Sequence, residues 1–433
     1  MVVLVKTLQV ILAISLLIII HELGHFMWAR IFGIKVEKFY LFFDVGGKAL
    51  AKWHWGGTEF GIGLIPFGGY CKISGMVDES MDLEHLKNDP EPWEFRSKPA
   101  WKRLFVLAGG VVNNFIFAVI VYCFIVGIWG TAYVSNADSF IAPDPLAEEM
   151  GFRLGDHIIS FDDYEPEDFA MLQADLARRN VRTATVLRGT DTLTLYMDQA
   201  YLGDVLNTPG MFDLAIPFVV DSMRFDGPNA QCGIVGGDRV IAFDGQSVGF
   251  LQDARKVLAL KCSSTVDATV VRGADTLAVP VQVDSLGQIG VYLEMPTIVR
   301  KQYSFLGAIP AGFKLTGETM GGYVQDLGLL FRPSTGAYKS VGSFIAIGQV
   351  FPSAWDWYRF LNILALLSVM LGIMNLLPIP GLDGGHIVIT LYEMITRRKP
   401  GQRFLVITQM IGMLLLLALM VLAFGNDIGR LIH

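Results

Sequence analysis

The chain has 433 residues, of which 52% are hydrophobic and only 17% are charged, and its formal net charge is -7. A mean hydropathy of +0.47 is too high for an ordinary soluble protein of this length, so the composition indicates an integral membrane protein. The acidic balance leaves no basic stripe to meet phosphates, which excludes nucleic acid as an expected partner.

Four segments are long and apolar enough to cross a bilayer, which needs roughly 20 such residues. They are residues 7–29, 104–137, 360–382 and 404–426. The first qualifies only if the polar side chains of His21, Glu22 and His25 find polar partners inside the protein. A cleaved secretory signal is the alternative for residues 1–20, but no small-x-small cleavage site follows the apolar run, and we expect a retained helix.

Lysine and arginine residues concentrate in two of the loops between these segments, at residues 30–103 and 397–403. By the positive-inside rule both loops are cytoplasmic. Both termini and the long segment from about 135 to 355 are therefore expected on the extracytoplasmic side of the membrane.

A polar cluster, "HELGH", closes the first apolar run at residues 21–25. Its two histidines are four residues apart, so on a helix both imidazoles project from one face, as two ligands of one zinc ion require. Glu22 would then lie beside the metal, where a carboxylate can act as general base toward a water molecule. The motif also occurs by chance on soluble helices, but charged groups inside a membrane span are costly and are functional-site candidates by default.

A third metal ligand is expected at the same membrane depth. The third apolar run ends in "NLLPIPGLDGGH", residues 375–386, and Asp383 closes an uncharged stretch. Spans one and three run in the same direction, and both polar groups lie toward the cytoplasmic end of their span. Asp383 is therefore the predicted third ligand, whereas His386 is predicted to be structural or to support the ligands.

The segment "GIGLIPFGGYCKISG", residues 61–75, follows the first span and is rich in glycine. It predicts a bent β-hairpin over about 57–75 whose free edge could pair with the backbone of an unwound substrate. Gly68, Gly69 and Tyr70 are the candidate substrate-binding residues there. A plain cytoplasmic hairpin remains the alternative.

An internal repeat occupies the predicted extracytoplasmic segment. "LGDHIISFDD" at 154–163 returns as "GGDRVIAFDG" at 236–245, and "TATVLRGTDTLTL" at 183–195 returns as "DATVVRGADTLAV" at 267–279. Two matched motifs at nearly one offset indicate a duplicated α+β domain. These copies resemble tandem PDZ domains, which bind extended peptides by strand addition. The alternative is that the two domains bind no peptide and act only as a spacer or a shield.

Taken together, the motifs resemble the site-2 protease family, and the repeat places the resemblance in its bacterial regulator-of-sigma-E branch. Besides "HELGHF" and "LSVMLGIMNLLPIPGLDGGH", the resemblance rests on residues 61–75, on "FRSKPAWKRLFVLAGGVVNNFIFA" and on the repeat. It implies a zinc endopeptidase with His21, His25 and Asp383 as ligands, Glu22 as base, and Asn375 as a group that contacts substrate or oxyanion. It also implies that the hairpin is membrane re-entrant.

The resemblance further implies a multi-pass protein of the bacterial inner membrane that cuts transmembrane segments of single-span substrates. An anti-sigma factor and remnant signal peptides are the expected substrates, after a first cut by another protease. The alternative is a non-proteolytic, membrane-tethered PDZ binding protein or metal carrier. Glu22 discriminates between the two, because a carrier has no use for a base beside the metal.

The predicted fold is a polytopic α-helical membrane protein with four transmembrane helices, a membrane re-entrant β-hairpin and two extracytoplasmic PDZ-like α+β domains. The expected parts are residues 1–134 with spans one and two, the hairpin and a cytoplasmic loop at 76–100; a first PDZ-like domain at 135–215; a second at 216–298; an amphipathic helical segment at 299–357; and spans three and four at 358–433. The amphipathic segment is expected to lie along the membrane surface. Cys232 and Cys262 fall where a disulfide is permitted, but spacing alone does not show one.

Overall fold

The computed structural model describes residues 1–76, 89–208, 210–330 and 342–432, which divide into two compact units. The helical unit comprises Met1–Gly130, Gln302–Leu327 and Ser340–His433. The strand-rich unit comprises Thr131–Lys301 and Gly328–Lys339.

The helices within the described ranges vary from single turns to lengths that match a bilayer. In chain order they are α1 Val2–Ile31, α2 Ala100–Trp129, α3 Pro145–Glu149, α4 Leu172–Arg178, α5 Leu202–Asn207, α6 Leu251–Ala259, α7 Phe305–Leu330, α8 Phe344–Val350, α9 Trp357–Leu376, α10 Asp383–Thr396 and α11 Gln402–Ile432.

Four of these helices, α1, α2, α9 and α11, are long and apolar enough to cross a membrane, which confirms the predicted number of spans. Two of the helices end before the predicted ends of their spans. The second span stops at Trp129, because Gly130 adopts a φ of 72° and a strand follows. The third stops at Leu376, and the prolines and glycines after it separate α9 from α10, so Asp383 begins a new helix.

The strands of the described ranges are short. They are β1 Val36–Phe43, β2 Ala51–Trp55, β3 Thr58–Ile62, β4 Ile65–Ile73, β5 Thr131–Val134, β6 Phe140–Pro143, β7 His157–Phe161, β8 Thr183–Arg188, β9 Asp191–Tyr196, β10 Phe212–Ala215, β11 Val220–Met223, β12 Arg239–Phe243, β13 Gln246–Ser247, β14 Thr265–Arg272, β15 Asp275–Gln282, β16 Val291–Leu293 and β17 Ile298–Lys301.

The first four strands form one sheet in the helical unit, in the order β2-β3-β1-β4. The predicted two-stranded hairpin over 57–75 is therefore wrong as a pairing, because β1 lies between β3 and β4 and pairs with both. The backbone N–H groups of Gly63 and Leu64, at the turn, donate to carbonyls of Leu41 and Phe43 instead of closing a hairpin. The glycine-rich turn gave no sign of this third strand.

The helices of the helical unit pack closely. A side chain at Gly24 of α1 would overlap the backbone of α2 at Gly109, so the two helices touch through their backbones. Helix α7, in the segment predicted to be amphipathic, packs along two of the spans. Its Gly312 lies against Cys123 of α2, and its Tyr323 joins a cluster with Ile373 of α9.

The strand-rich unit contains two separate hydrophobic cores. One is built from residues 141–212 around a three-stranded sheet β7-β8-β9, and the other from residues 218–289 around a four-stranded sheet β13-β12-β14-β15. The chain enters through β5 and leaves through β17, which pair with each other. The described structure contains no disulfide, so Cys232 and Cys262 are not bridged.

Each core carries the same ion pair between an arginine and a buried aspartate, at repeat-equivalent positions. Arg188 Nε donates to Asp156 at 2.7 Å, and Arg272 Nε donates to Asp238 at the same distance. Both carboxylates are fully buried. The hydrogen bonds from Arg272 lower the pKa of Asp238.

Arg272→Gln should therefore weaken the strand-rich unit at neutral pH and make its stability less dependent on acid. A carboxyl group with a lowered pKa stabilises the fold above its unfolded pKa, and this stabilisation is lost as the pH falls through the lowered folded pKa. Without Arg272 this stabilisation is absent, so the unfolding midpoint at neutral pH falls by roughly 5 °C and the difference from wild type shrinks as the pH falls. Limited proteolysis of the full chain across temperature and pH is the measurement.

The matched control is Arg224→Gln, because Arg224 pairs with Asp226 on the exposed surface. Such pairs contribute little to stability. Equal effects of the two substitutions would contradict a special role for the pair with the buried carboxylate.

Candidate metal centre

Helix α1 carries the first two candidate ligands on one face. His21 and His25 are four residues apart, and their Nε2 atoms lie 3.3 Å from each other. Only 9% of His21 and 6% of His25 is exposed. The i, i+4 spacing thus has the effect that the sequence predicts, with both imidazoles converging on one point.

Asp383 reaches the same point from the start of α10. Its Oδ2 lies 3.2 Å from His21 Nε2 and 3.3 Å from His25 Nε2. The break between α9 and α10 allows this approach, since Gly381 adopts a φ of +95° just before the new helix. Among the described residues these three form the only cluster with metal-ligand spacing.

The three ligand atoms fit a tetrahedral zinc ion. Ligands about 2.0–2.1 Å from such an ion are about 3.3–3.4 Å from one another. The three observed separations of 3.2–3.3 Å match that edge length.

Hydrogen bonding supports the same conclusion. His25 Nδ1 lies 2.9 Å from the carbonyl oxygen of Val106, which can only accept, so Nδ1 carries the hydrogen. The Nε2 atom of a neutral His25 therefore keeps a free lone pair. Asp383 Oδ2 is buried and receives no hydrogen bond from the described part of the chain, so it too presents a lone pair to the same point. A cation between these acceptors would satisfy them.

Glu22 lies beside this cluster and interacts electrostatically with all three of its members. Its carboxylate also accepts a hydrogen bond from the backbone N–H of Cys71 in β4. Because β4 is an edge strand of the described sheet, this contact brings a free strand edge up to the candidate base.

The other predicted site residues lie at different distances from this centre. Asn375 is close, with Nδ2 3.5 Å from His21 Nε2. The side chain of Tyr70 is engaged within the sheet, because its hydroxyl group donates a hydrogen bond to Asp44 at 2.9 Å. Gly68 and Gly69 let β4 lie close to its neighbours, because an added Cβ at either would come 2.5 Å from a side chain of Phe43 or Ile18. His386 is not a member of the cluster.

Helix α10 is fixed to α2 by a buried ion pair ten residues beyond Asp383. Arg103 Nη2 donates to Glu393 Oε1 at 2.5 Å, and both side chains are largely buried. The pair holds the helix that carries the third candidate ligand against the helix that underlies the histidines.

Two residues of α2 that touch the histidines were not among the predicted site residues. Gly110 lies directly under both rings, and Asn114 lies at hydrogen-bond distance from His21. Asparagines inside an apolar run are a signal by the same rule that singled out "HELGH". A glycine in such a run gives no signal.

Gly110→Ala should disrupt the centre. The added Cβ would lie 2.5 Å from His25 Nε2 and 2.6 Å from His21 Cε1, so at least one imidazole must move. Alanine is the better helix former, so α2 itself is not weakened. We expect at least a tenfold loss of zinc affinity, in line with other changes that displace ligands, measured by competition with a chelator.

Gly127→Ala on the same helix is the control, because its added Cβ meets Ala308 at an ordinary 3.4 Å. Unchanged zinc affinity in Gly110→Ala would contradict the observed packing.

Comparison with known proteins gives consistent results over almost the full length of the chain. The model of peptidase family M50 matches residues 9–419. The regulator of sigma-E protease RseP of Escherichia coli is 30% identical over 456 residues, covering 97% of this chain and 98% of the relative. The protein of the same name from Salmonella typhimurium is 30% identical over 450 residues with the same coverage. A relative from Neisseria meningitidis that is named as a zinc metalloprotease is 27% identical over 449 residues, covering 98% of both chains.

Proposed function

The chain belongs to peptidase family M50 and is a zinc metalloprotease, and from that premise we propose that it cuts peptide bonds within the membrane. The observation that carries the proposal is the convergence of His21, His25 and Asp383 beside Glu22. Three of these four residues lie on a helix long and apolar enough to cross a bilayer. A hydrolytic site on such a helix acts on bonds at membrane depth.

His21, His25 and Asp383 would hold the zinc ion. Three protein ligands leave a fourth position open, which is the arrangement of catalytic rather than structural zinc. When bound, zinc supplies Lewis-acid activation of the scissile carbonyl and of the attacking water.

Glu22 is the proposed general base. Its carboxylate accepts a proton from the attacking water and returns one to the leaving amine nitrogen. Asn375 is the proposed contact for the substrate carbonyl or the developing oxyanion, and its position next to His21 supports this role. The carboxylate also argues against a metal carrier, which needs ligands but no base.

The free edge of β4 is the proposed substrate-holding element. A transmembrane helix hides its carbonyls in its own hydrogen bonds, so it must unwind before cleavage. An unwound segment that adds to β4 would lie along the edge whose Cys71 N–H contacts Glu22. Gly68 and Gly69 shape this edge, whereas Tyr70 contributes through its backbone. The sheet would be re-entrant in the membrane.

The proposed substrates are single-span membrane proteins that another protease has already cut. The names of the Escherichia coli and Salmonella typhimurium relatives support a role in sigma-E regulation. An anti-sigma factor is the proposed substrate in that role, and remnant signal peptides are a second proposed class. We further propose that the protein lies in the bacterial inner membrane with both termini and the strand-rich unit outside the cytoplasm.

The test of this function is a comparison of membrane proteomes from cells with the wild-type protein and with Glu22→Gln. Single-span fragments that accumulate only with the variant would identify substrates. Identical fragment profiles would contradict the proposed proteolysis.

The two cores of the strand-rich unit are proposed to be PDZ-like domains that exclude substrates with intact ectodomains. Gly130 is the single residue between α2 and β5, and β5 pairs with β17, so the chain enters and leaves residues 131–301 side by side. A body of about 165 residues has a radius of gyration near 15 Å by compact-domain scaling, enough to obstruct a folded ectodomain. Recruitment of the new C-terminus by a PDZ groove is the competing role.

Deleting residues 135–295 behind a short linker, which spares the β5–β17 ribbon, should make untrimmed substrates cleavable. Recruitment predicts instead that trimmed substrates are cut more slowly. Cleavage assays on matched trimmed and untrimmed substrates separate the two roles. If untrimmed substrate stays intact while trimmed substrate is cut at the normal rate, neither role survives.

A further inference from the structure

Asn114 of α2 is a buried polar residue that the proposed mechanism does not use. Its side chain is fully buried in a helix long enough to span the membrane. Its Nδ2 atom lies 3.1 Å from His21 Nδ1, on the opposite side of the ring from the candidate metal. Its Oδ1 atom is buried and receives no hydrogen bond from any described residue.

The position of the hydrogen on His21 decides whether this residue can bind a metal. A neutral imidazole carries one hydrogen, and a ligand must keep the lone pair on the nitrogen that faces the ion. For His25 the Val106 carbonyl settles the matter, because it accepts from Nδ1 and leaves Nε2 free. His21 needs an equivalent acceptor at its own Nδ1.

The amide of Asn114 can supply that acceptor. When the side-chain NH2 group of Asn114 points toward the ring, His21 Nδ1 must accept the hydrogen bond. The ring hydrogen of His21 is then on Nε2, where it blocks coordination of the metal. A half-turn about Cβ–Cγ exchanges the amide oxygen and nitrogen. Oδ1 then accepts from His21 Nδ1–H, which gives the buried oxygen its donor and leaves Nε2 free.

We propose that Asn114 is a positioning residue for the metal centre, whose Oδ1 accepts the Nδ1–H of His21 and holds Nε2 toward the ion. The proposal rests on the proposed role of His21 as a zinc ligand. Partners of this kind fix both the tautomer and the orientation of a metal-binding histidine.

Two further contacts fix Asn114 for this role. Ser368 Oγ of α9 donates to the Asn114 carbonyl oxygen at 2.8 Å, and Ser368 is fully buried. Gly110, one turn earlier on α2, leaves room for the rings. Helix α9, which carries Asn375, therefore also clamps the backbone that orients His21.

The test measures zinc affinity of the full-length protein in detergent, by chelator competition, for Asn114→Asp, Asn114→Leu and Asn114→Ala. Aspartate keeps an acceptor and removes the donor, whereas leucine has a similar size and neither. We expect Asn114→Leu and Asn114→Ala to bind zinc 10- to 100-fold more weakly, and Asn114→Asp to remain within about threefold of wild type. The visible spectrum of the cobalt-substituted protein should change only in the first two.

Asn113→Ala is the matched control, because the neighbouring Asn113 donates to the Ile20 carbonyl at 3.3 Å and contacts no ligand nitrogen. Wild-type affinity in Asn114→Leu and Asn114→Ala overturns the proposal. If those two variants do not fold, the zinc affinity of Asn114→Asp alone tests the proposal. A loss of affinity of tenfold or more in that variant would mean that Asn114 acts as a donor, which overturns the proposal.

His21→Ala separates this proposal from the proposed function. Full zinc affinity in His21→Ala would overturn the metal centre itself. A loss of zinc in His21→Ala together with unchanged affinity in the Asn114 variants overturns only the role of Asn114.

Discussion

Glu22→Gln is expected to abolish peptide-bond cleavage while the protein keeps its zinc. Glutamine is nearly the same size as glutamate, so the packing against Cys71 and the two histidines is preserved. The amide cannot accept the proton of the attacking water. The rate should fall by at least the 10²- to 10⁴-fold that a general acid-base group typically contributes.

The measurements are the cleavage rate of a single-span substrate in reconstituted membranes and the zinc content of the same preparation. Glu318→Gln is the control, because Glu318 lies exposed on α7 and pairs only with Lys314 in the described structure. Cleavage by Glu22→Gln at the wild-type rate would remove Glu22 from the mechanism. Loss of zinc would show that the carboxylate supports the metal rather than the proton transfer.

Asp383→Ala is expected to lose both zinc and activity, because it deletes a proposed ligand rather than the proposed base. Its Oδ2 atom is one corner of the triangle with His21 and His25. Loss of a supporting partner already costs 10- to 100-fold in metal affinity, so loss of a ligand should cost more than about 100-fold. Metal analysis after dialysis against a zinc buffer is the measurement.

His386→Ala is the matched control for Asp383→Ala, since His386 lies one turn further along α10 and outside the cluster. The control should keep its zinc. Full occupancy in Asp383→Ala with loss of metal in His386→Ala would mean that the third ligand is His386.

Glu22→Gln and Asp383→Ala are expected to impair the protein in different ways. Glu22→Gln should separate activity from metal content, whereas Asp383→Ala should lose both together. If the two variants show the same activity and the same zinc content, Glu22 and Asp383 do not have separate roles as base and ligand.

The four spans and the grouping of His21, His25 and Asp383 could be predicted because they depend on local order along the chain. Hydropathy identifies each span, and successive spans alternate in direction, so the order of a span along the chain gives its direction relative to the first. The four-residue spacing of the histidines fixes their common face on any helix. Depth and direction then bring the end of the third span to the same level as the end of the first.

Only the tertiary structure showed that β1 separates β3 from β4. The sequence around Gly68 and Gly69 favours a turn, but the residues of β1 that pair with β3 and β4 lie more than twenty positions away from them. Such pairing depends on how the whole sheet packs on α1, which local turn preferences do not contain.

The sequence by itself determined the membrane class, the number of spans, the family resemblance and the zinc chemistry expected of "HELGH" and Asp383. The tertiary structure alone decided which face of α2 meets the histidines, and with it the places of Gly110, Asn114 and the Val106 carbonyl. The physical reason is that α2 is apolar nearly all round, so hydropathy does not specify its rotation. Backbone contact between Gly24 of α1 and Gly109 of α2 sets that rotation. The sequence of either helix alone does not specify this contact.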